Sequence, residues 1–139
     1  MDTRHKGEIA LLKVQQRAAE KGFYCSKPTM EGCRYDLIVD DGKRLWRAQA
    51  KYAGDCKRND SSGSVRVGLA KRSSGGNGPK NRLYTREEID VVIAYIPRTE
   101  QIVWLAPEVW ERKRDVHLRV VPAKNKQARG ILFAKDFEW

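Results

Sequence analysis

The segment 35–52, with the sequence Y-D-L-I-V-D-D-G-K-R-L-W-R-A-Q-A-K-Y, constrains the fold more than any other part of the chain. Apolar and polar residues alternate on both sides of an Asp-Gly pair, which predicts two antiparallel strands joined by a tight turn. On the second strand, three apolar side chains alternate with the polar side chains of Arg47, Gln49 and Lys51. Successive side chains of a strand point to opposite faces. We therefore expect one face to meet a core and the other to hold an amide and an ammonium group.

The turn predicts how the two strands are paired. Asp and Gly tolerate the positive φ angles of a two-residue type I′ turn, and a turn at 41–42 places Asp36 opposite Arg47. Asp36 then shares a face with Gln49 and lies diagonally across from it, roughly 7–8 Å away between Cα atoms. A shift by one residue would turn the Asp36 carboxylate into the core, where a lone charge is costly. We therefore expect Asp36, Gln49 and Lys51 to form one polar patch, a candidate metal and phosphate site.

The chain has 139 residues and a formal net charge of +10, with 40% apolar and 33% charged residues. This length is typical of a single domain with its own core, here predicted to span 1–139. The charge favours a polyanionic partner. Nucleic acid is favoured over a membrane, because no stretch is long and apolar enough to span one and no basic amphipathic helix stands out. A soluble protein that is basic without binding nucleic acid is the alternative.

The cysteines argue against a structural metal site. Cys25, Cys33 and Cys56 are odd in number and lack C-x-x-C spacing, and the sequence offers only the histidines His5 and His117. A structural zinc site is therefore disfavoured. We expect reduced thiols and a cytoplasmic protein, since the N-terminus has no apolar signal-peptide core. His117, on a predicted strand, is expected to be structural rather than catalytic.

A helix is predicted over 6–21, because apolar residues recur there at helical spacing and Gly22 follows as a C-cap. Glu8 lies at the flank of the apolar stripe. An acid there is either a first-turn residue favoured by the helix dipole or a side chain aimed into a cleft. A short strand is predicted at 23–25, before the hairpin. Helix, strand and hairpin in this order predict the α/β class, with a mixed sheet and a helix packed on one face.

The second half of the chain is predicted to complete the sheet. The strands at 90–96 and 101–105 are very apolar and are expected at its centre. A short helix at 107–112, with proline as its first residue, and a strand at 117–121 follow.

Two stretches are predicted to be basic loops. Residues 54–83 are rich in Gly, Ser and Asn around one predicted strand near 65–69, and residues 122–130 form the second loop. A loop as long as the first is usually functional or disordered, although a solvated loop without a role is the alternative. The charge of both loops suits phosphate contacts. The residues predicted to contact DNA are Lys57, Arg58, Arg66, Lys71, Arg72, Lys80, Arg82, Lys124 and Lys126.

Asp36, followed by Gln49-x-Lys51 on an adjacent strand, fits metal-dependent hydrolysis of phosphodiesters. Mg²⁺ prefers hard oxygen ligands. Those available here are the carboxylates of Asp36 and Glu8, the side-chain oxygen of Gln49 and the backbone carbonyl of Ala50. Such a metal acidifies a bound water and polarises the phosphate. Lys51 is expected to position the attacking water and to stabilise the negative charge that develops on phosphorus.

The same residues resemble a known nuclease core. Gly7-Glu8 on the first helix, Asp36 on one strand and Gln49-x-Lys51 on the next are similar to the motif of the PD-(D/E)XK nucleases. Restriction enzymes and archaeal Holliday junction resolvases share this core. Three blocks further resemble the homing endonucleases of this fold encoded in group I introns, namely R-Y-D-L-I-V-D-D-G-K-R-L-W-R-A-Q-A-K, Y-T-R-E-E-I-D-V-V-I-A-Y and P-A-K-N-K-Q-A-R-G-I-L-F-A-K-D-F.

This resemblance implies a restriction-endonuclease-like core, with a central mixed β-sheet and flanking helices. It implies Mg²⁺-dependent, site-specific cleavage of double-stranded DNA, with Mn²⁺ as a substitute, in a prokaryotic or phage context. It also implies a homo-oligomer, a dimer or a tetramer, because cutting both strands needs two active sites. The chain departs from the motif at Tyr35, where the motif has proline, and at Gln49, where it has an acid. The intron-encoded enzymes resemble the chain at this glutamine too, and Glu8 would restore the ligand charge.

Two alternatives remain open. A Holliday junction resolvase shares the same core and the acid on the first helix. In a different class, the chain is a DNA-binding module that has lost catalysis, with Gln49 as the trace of that loss.

Overall fold

The computed structural model describes residues 1–56, 63–75, 78–121 and 130–139, with the backbone alone described at 71–75 and 78–81. Its helices are α1, Thr3–Glu20, and α2, Pro107–Trp110, and a 3₁₀ turn spans Ala134–Phe137. Its strands are β1 Tyr24–Ser26, β2 Leu37–Asp40, β3 Leu45–Tyr52, β4 Gly54–Asp55, β5 Ser64–Gly68, β6 Lys71–Gly75, β7 Gly78–Arg82, β8 Val91–Ile96, β9 Gln101–Leu105 and β10 Asp115–Arg119. No helix in these ranges is long and apolar enough to cross a membrane.

In the described part of the chain the strands form three sheets. The largest has the order β1-β2-β3-β8-β9, in which β3 and β8 are parallel and the other neighbours are antiparallel. A second sheet has the order β10-β5-β4, and β6 and β7 form a two-stranded hairpin. The predicted α/β class with a central mixed sheet is therefore confirmed.

Helix α1 covers one face of the large sheet. The side chain of Asp2 caps it by accepting a hydrogen bond from the backbone N–H of His5 (2.9 Å), which satisfies an amide that a helix start leaves unpaired. The helix begins at Thr3, three residues before the predicted start. Its chain leaves through Gly22, whose φ of +77° explains why glycine follows the end of the helix.

The large sheet is buried on both faces. One apolar cluster joins α1 to β2, β3 and β8, and a second packs the opposite face of β8 and β9 against the second sheet and α2. Every residue of β8 is buried, as expected for a strand that is covered on both sides. The polar face of β3 is covered less completely, since Arg47 and Lys51 on it are partly exposed. Gln49 on that face is only 9% exposed.

The prediction that 90–96 and 101–105 together form the centre of the sheet is wrong for the second strand. β8 is internal, but β9 is an edge strand and β3 takes the central place. The C-terminal end of the chain covers this edge, where the backbone N–H of Trp139 donates to the carbonyl of Ile102 (2.9 Å). The apolar composition of β9 reflects the burial of its faces, which a sequence pattern does not distinguish from a central position.

The described residues of the segment 54–83, which was predicted as a basic loop around one strand, form four strands. The strand predicted near 65–69 is confirmed as β5, and β4, β6 and β7 lie where a loop was expected. β5 pairs with β10, opposing Val67 to Val116, and its apolar side chains enter the second core. β10 begins two residues before the predicted strand. Because the strands that pair here lie far apart in the chain, local sequence could not show this second sheet.

The hairpin loop differs from the predicted two-residue turn. Asp40 pairs with Leu45, so that the loop comprises the four residues 41–44. Asp41 sets this geometry, since its side chain accepts hydrogen bonds from two backbone N–H groups of the loop (2.8 Å each) and from Nε1 of Trp46 (3.0 Å). The pairing is thereby shifted by two residues from the prediction. An even shift leaves every side chain on its predicted face.

Arg47 of β3 and Asp90, which precedes β8, join the two neighbouring parallel strands. The backbone N–H and Nε of Arg47 donate to Oδ2 of Asp90 (2.8 and 3.1 Å), and Nη2 donates to Oδ1 (3.0 Å). The backbone N–H of Asp90 donates in return to the carbonyl of Arg47 (2.8 Å). Burial by itself would raise the pKa of Asp90, but the hydrogen bonds and charge of Arg47 outweigh it and lower that pKa. The pair therefore stabilises the start of the parallel pairing.

We expect Asp90→Asn to lower the free energy of unfolding by about 2 kcal/mol at neutral pH, because the amide loses the charge-assisted hydrogen bonds to Arg47. The folded-state pKa of Asp90 is lowered. Its contribution is therefore complete above the unfolded pKa of about 3.9 and is lost as the pH falls through the folded value. Urea unfolding from neutral pH down to about pH 3 measures this, and the difference from wild type should shrink with acid. A difference that stays constant would contradict it; Asp136→Asn, at an exposed position, is the control.

Candidate active site

Asp36 precedes β2 and is held against β3 by hydrogen bonds. Its Oδ2 accepts from the backbone N–H of Ala50 (3.0 Å) and from Nε2 of Gln49 (2.8 Å). Its own backbone N–H donates to the carbonyl of Ala48 (2.9 Å), which extends the ladder between the two strands. The carboxylate is therefore oriented by the strand that also carries the lysine of the motif.

The observed register corrects the predicted geometry of this patch. Ile38, and not Asp36, lies opposite Arg47. Asp36 and Gln49 are consequently in direct contact, closer than the diagonal placement expected from the turn. Asp36, Gln49 and Lys51 nevertheless line one cavity, as their shared face predicts. The sequence pattern thus predicted which side chains meet, but not how closely.

Gln49 takes the position of the acid in the family motif and is unusual in its burial. Among the residues whose burial is described, it is the one buried polar side chain. Its amide donates to Asp36, so a neutral group satisfies a carboxylate where a second carboxylate would repel it. For the side-chain oxygen of Gln49 to bind the same metal ion as Asp36, the amide group must rotate by half a turn. This hydrogen bond therefore holds the site in order without a bound cation.

Glu8 on α1 faces the same cleft as the hairpin residues. The cleft has a volume of about 1150 Å³, and Glu8, Asp36, Gln49, Ala50 and Lys51 all line it. Glu8 is exposed and lies two residues before Ala10, the first buried residue of the helix. Glu8 was interpreted either as a first-turn acid favoured by the helix dipole or as a side chain aimed into a cleft. The structure supports the second interpretation.

The donor atoms at this cleft are those that a hard cation takes. The residues that line it carry the carboxylates of Glu8 and Asp36, the side-chain oxygen of Gln49 and the backbone carbonyl of Ala50. In the described ranges, no group of three or more His, Cys, Asp and Glu side chains is placed to hold a metal ion. This agrees with the replacement of an acid by Gln49. An oxygen set of this composition fits a hard divalent cation better than a metal that needs His or Cys ligands.

The second sheet forms the opposite wall of the cleft and contributes Cys56, Arg66, Asp115 and His117. Nε of Arg66 lies 3.1 Å from Oδ2 of Asp115, and the guanidinium passes over Gly68, where an added Cβ would lie 3.2 Å from Nη1. Nδ1 of His117 is 3.6 Å from Sγ of Cys56. Burial raises the pKa of the Cys56 thiol, and the positive charge of Arg66 offsets only part of this rise. This wall therefore presents a held guanidinium and an imidazole to the cleft.

Sequence reasoning missed several of these cleft residues. Arg4 and Lys6 at the start of α1 line the cleft, although the predicted helix began only at the second of them. His117, expected to be structural, also lies on the cleft wall. The strand alternation that puts His117 on the face of Arg66 becomes visible only once β10 is paired with β5.

The basic residues predicted to contact DNA fall into three groups. Arg66 lines the cleft, whereas Arg82 is exposed and forms an ion pair with Glu88 (3.0 Å), and it is not among the residues lining the cleft. Four of the residues lie outside the described ranges, and three lie on strands whose side chains are not described. The four residues outside the described ranges are Lys57, Arg58, Lys124 and Lys126. The three whose side chains are not described are Lys71, Arg72 and Lys80.

A mixed sheet, an N-terminal helix and an aspartate and a lysine of neighbouring strands at their junction are features of one nuclease class, in which this chain has Gln49 in place of an acid. The chain belongs to the PD-(D/E)XK endonuclease family, whose model matches residues 1–139. It is therefore an endonuclease, and the predicted family is confirmed. Endonucleases of this family act on DNA and use divalent metal ions.

One solved structure shows the same fold over nearly the whole chain. It is that of a bacterial homing endonuclease, I-Ssp6803I, with a TM-score of 0.79 and 20% sequence identity. The match covers 99% of this chain and 89% of that one. Among curated proteins, none matches this chain.

We expect Gln49→Glu to make the stability of the protein depend on divalent metal. Without metal, the new carboxylate would face Asp36 at hydrogen-bond distance and lower the free energy of unfolding by roughly 1–3 kcal/mol. A bound cation would offset this repulsion, so the rise in Tm on adding Mg²⁺ should be larger than in wild type. Thermal unfolding in chelator and in Mg²⁺ measures this. Gln49→Met, which adds no charge, is the control, and an equal rise in wild type and Gln49→Glu would mean that Gln49 does not border the metal.

Proposed function

We propose that the chain is a site-specific DNA endonuclease of the homing type, which hydrolyses phosphodiester bonds in both strands of a duplex. The observation that carries this proposal is the fixed carboxylate of Asp36, held by Ala50 and Gln49 in a cleft shared with Glu8 and Lys51. The three sequence blocks that resemble intron-encoded enzymes support the homing type, as does the shared fold with a bacterial homing endonuclease.

In this proposal Asp36, Glu8, the side-chain oxygen of Gln49 and the carbonyl of Ala50 hold a divalent cation. Their hard oxygens favour Mg²⁺, with Mn²⁺ as a substitute. When bound, the cation supplies an acidified water and a polarised phosphate. The protein's contribution is orientation. The N–H of Ala50 fixes Asp36 before substrate arrives, and the amide of Gln49 holds the same carboxylate until the cation binds and the amide turns its oxygen toward it.

Lys51 has a separate role. It lies two residues after Gln49 on β3, so both side chains point to the same face. Its ammonium would stabilise the negative charge that develops on phosphorus and help to position the attacking water. Glu8, from α1, supplies the carboxylate charge that the glutamine at position 49 does not.

The cleft is also proposed to hold the DNA backbone. Arg4 and Lys6 line it from the helix side, and Arg66 lines it from the second sheet. A double-strand cut needs two such sites, so we propose a homo-oligomer, a dimer or a tetramer, of single-domain chains spanning 1–139. We further propose a cytoplasmic protein of a prokaryotic or phage context.

The central prediction is that Asp36→Asn or Lys51→Ala abolishes Mg²⁺-dependent cleavage, with a loss of at least about 10²-fold, while DNA binding without metal persists. Cleavage of plasmid and genomic fragments, followed by mapping of the ends, measures this and finds the target. Asp40→Asn and Lys43→Ala, at the far end of the same hairpin, are the matched controls. Cleavage at wild-type level by either site variant would rule out this site.

The same assay separates the alternatives when linear duplex and four-way junction substrates are compared. A homing enzyme requires one long duplex sequence, whereas a Holliday junction resolvase cleaves junctions of many sequences. A module that has lost catalysis would show salt-sensitive binding without nicking any DNA.

We expect Arg66→Gln to weaken DNA binding and to reduce the slope of log affinity against log salt by about 1, because one phosphate contact is lost. The control is Arg86→Gln. Arg86 is exposed and paired with Glu111 (2.9 Å), and it does not line the cleft. Binding titrations across a range of salt concentrations measure both slopes. An unchanged slope for Arg66→Gln would show that this wall of the cleft does not contact DNA.

A further inference from the structure

A second, smaller cavity adjoins the candidate active site. It has a volume of about 340 Å³ and shares Asp36, Gln49 and Lys51 with the large cleft. Arg34 and Tyr84 contribute to its other wall. Neither residue belongs to the PD-(D/E)XK motif, and neither is among the proposed ligands of the cation. The site as described so far therefore gives this wall no role.

Tyr84 presents its ring to two cations. The ring centroid lies 5.1 Å from Nζ of Lys51 and 4.2 Å from Cζ of Arg34. The face of an aromatic ring carries partial negative charge, so both contacts are attractive. Tyr84 is only 3% exposed, and burial raises the pKa of its hydroxyl, so the side chain stays a neutral phenol. Such a contact is stronger when it is shielded from water.

Arg34 packs over the Tyr84 ring and is itself held by Leu83 and Glu88. Nη2 of Arg34 donates to the carbonyl of Leu83 (3.0 Å), and its Nε lies 2.8 Å from Oε2 of Glu88. The second contact is an ion pair rather than a hydrogen bond, since this buried nitrogen has no acceptor in a suitable direction. Burial raises the pKa of Glu88, but Arg34 and the hydroxyl of Thr85 help to lower it overall. The Arg34 side chain, 12% exposed, is thereby anchored against the ring.

A lysine needs such support if it is to act at a defined point on a phosphate. Its charge is compact and sits on a flexible four-carbon stem, so an unsupported ammonium samples many positions. Fixing one catalytic group in a productive geometry contributes directly to the rate. The Tyr84 ring restricts the positions that the Lys51 ammonium can take and attracts it at the same time.

We propose that Tyr84 is a positioning residue of this nuclease, whose ring, held by Arg34 and Glu88, orients Lys51 toward the scissile phosphate. This inference rests on the proposed role of Lys51. In this proposal Tyr84 acts through Lys51 and not on the DNA or the metal ion directly, so its removal should slow the chemical step and leave DNA affinity intact.

The test compares single-turnover cleavage and DNA affinity in Tyr84→Leu and Tyr84→Phe. Tyr84→Leu is expected to slow cleavage about 5- to 30-fold, as for the loss of a shielded cation–π contact, with the Kd for DNA within about twofold of wild type. Tyr84→Phe retains the ring and is expected to recover the rate to within about threefold of wild type. Tyr84→Met, whose flexible chain fills the space, is a second non-aromatic variant should Tyr84→Leu fail to fold.

Leu105→Ala is the control for stability, because it truncates a fully buried side chain of the same core away from Lys51. If Leu105→Ala loses a similar amount of stability and slows cleavage as much, the inference is wrong. A rate for Tyr84→Leu equal to wild type, or a loss in Tyr84→Phe as large as in Tyr84→Leu, would also overturn it. Each of these results leaves the proposed site intact as long as Lys51→Ala is inactive. Wild-type cleavage by Lys51→Ala would instead overturn the proposed site itself.

Discussion

The hydrogen bonds that Asp36 accepts from β3 are the interaction on which the candidate site depends. The N–H of Ala50 and the amide of Gln49 hold one oxygen of this carboxylate at 3.0 and 2.8 Å. That geometry requires the observed pairing of β2 with β3, which the four-residue loop sets. It also requires β3 to lie beside β8, and the hydrogen bonds from Arg47 of β3 to Asp90, which precedes β8, hold these strands together. The site is thus built into the centre of the sheet rather than placed on a loop, which favours a rigid constellation.

The glutamine at position 49 changes the electrostatics of this centre. Without a cation, a second carboxylate beside Asp36 would be repelled by its charge. The buried amide of Gln49 is instead satisfied by its hydrogen bond to Asp36. The ligand charge that is lost has to come from elsewhere, and Glu8 lies across the same cleft. In the proposed function, the cation site is therefore divided between the sheet and α1. The packing of the helix on the sheet therefore contributes to function as well as to stability.

Much of the fold was predictable, and the errors have two causes. The helix, the hairpin strands and the polar face of β3 follow from local periodicity, and so does the shared face of Asp36, Gln49 and Lys51. The prediction of a two-residue hairpin loop was wrong because the side chain of Asp41 and the indole of Trp46 stabilise a wider turn than the Asp-Gly pair suggests. The edge position of β9 and the second sheet were missed because they depend on strands that are distant in sequence. Pairing between distant segments leaves no local pattern.

By itself the sequence determined the class of the fold and the face that Asp36, Gln49 and Lys51 share, because alternation and spacing are local properties of the chain, and its resemblance to the PD-(D/E)XK nucleases indicated the family. Only the tertiary structure decided how these residues meet. It brought Glu8 to the hairpin, buried Gln49 against Asp36, turned Arg66 and His117 toward the cleft, and set Tyr84 beside Lys51. The physical reason is that each of these contacts joins segments whose proximity results from packing two layers onto one sheet.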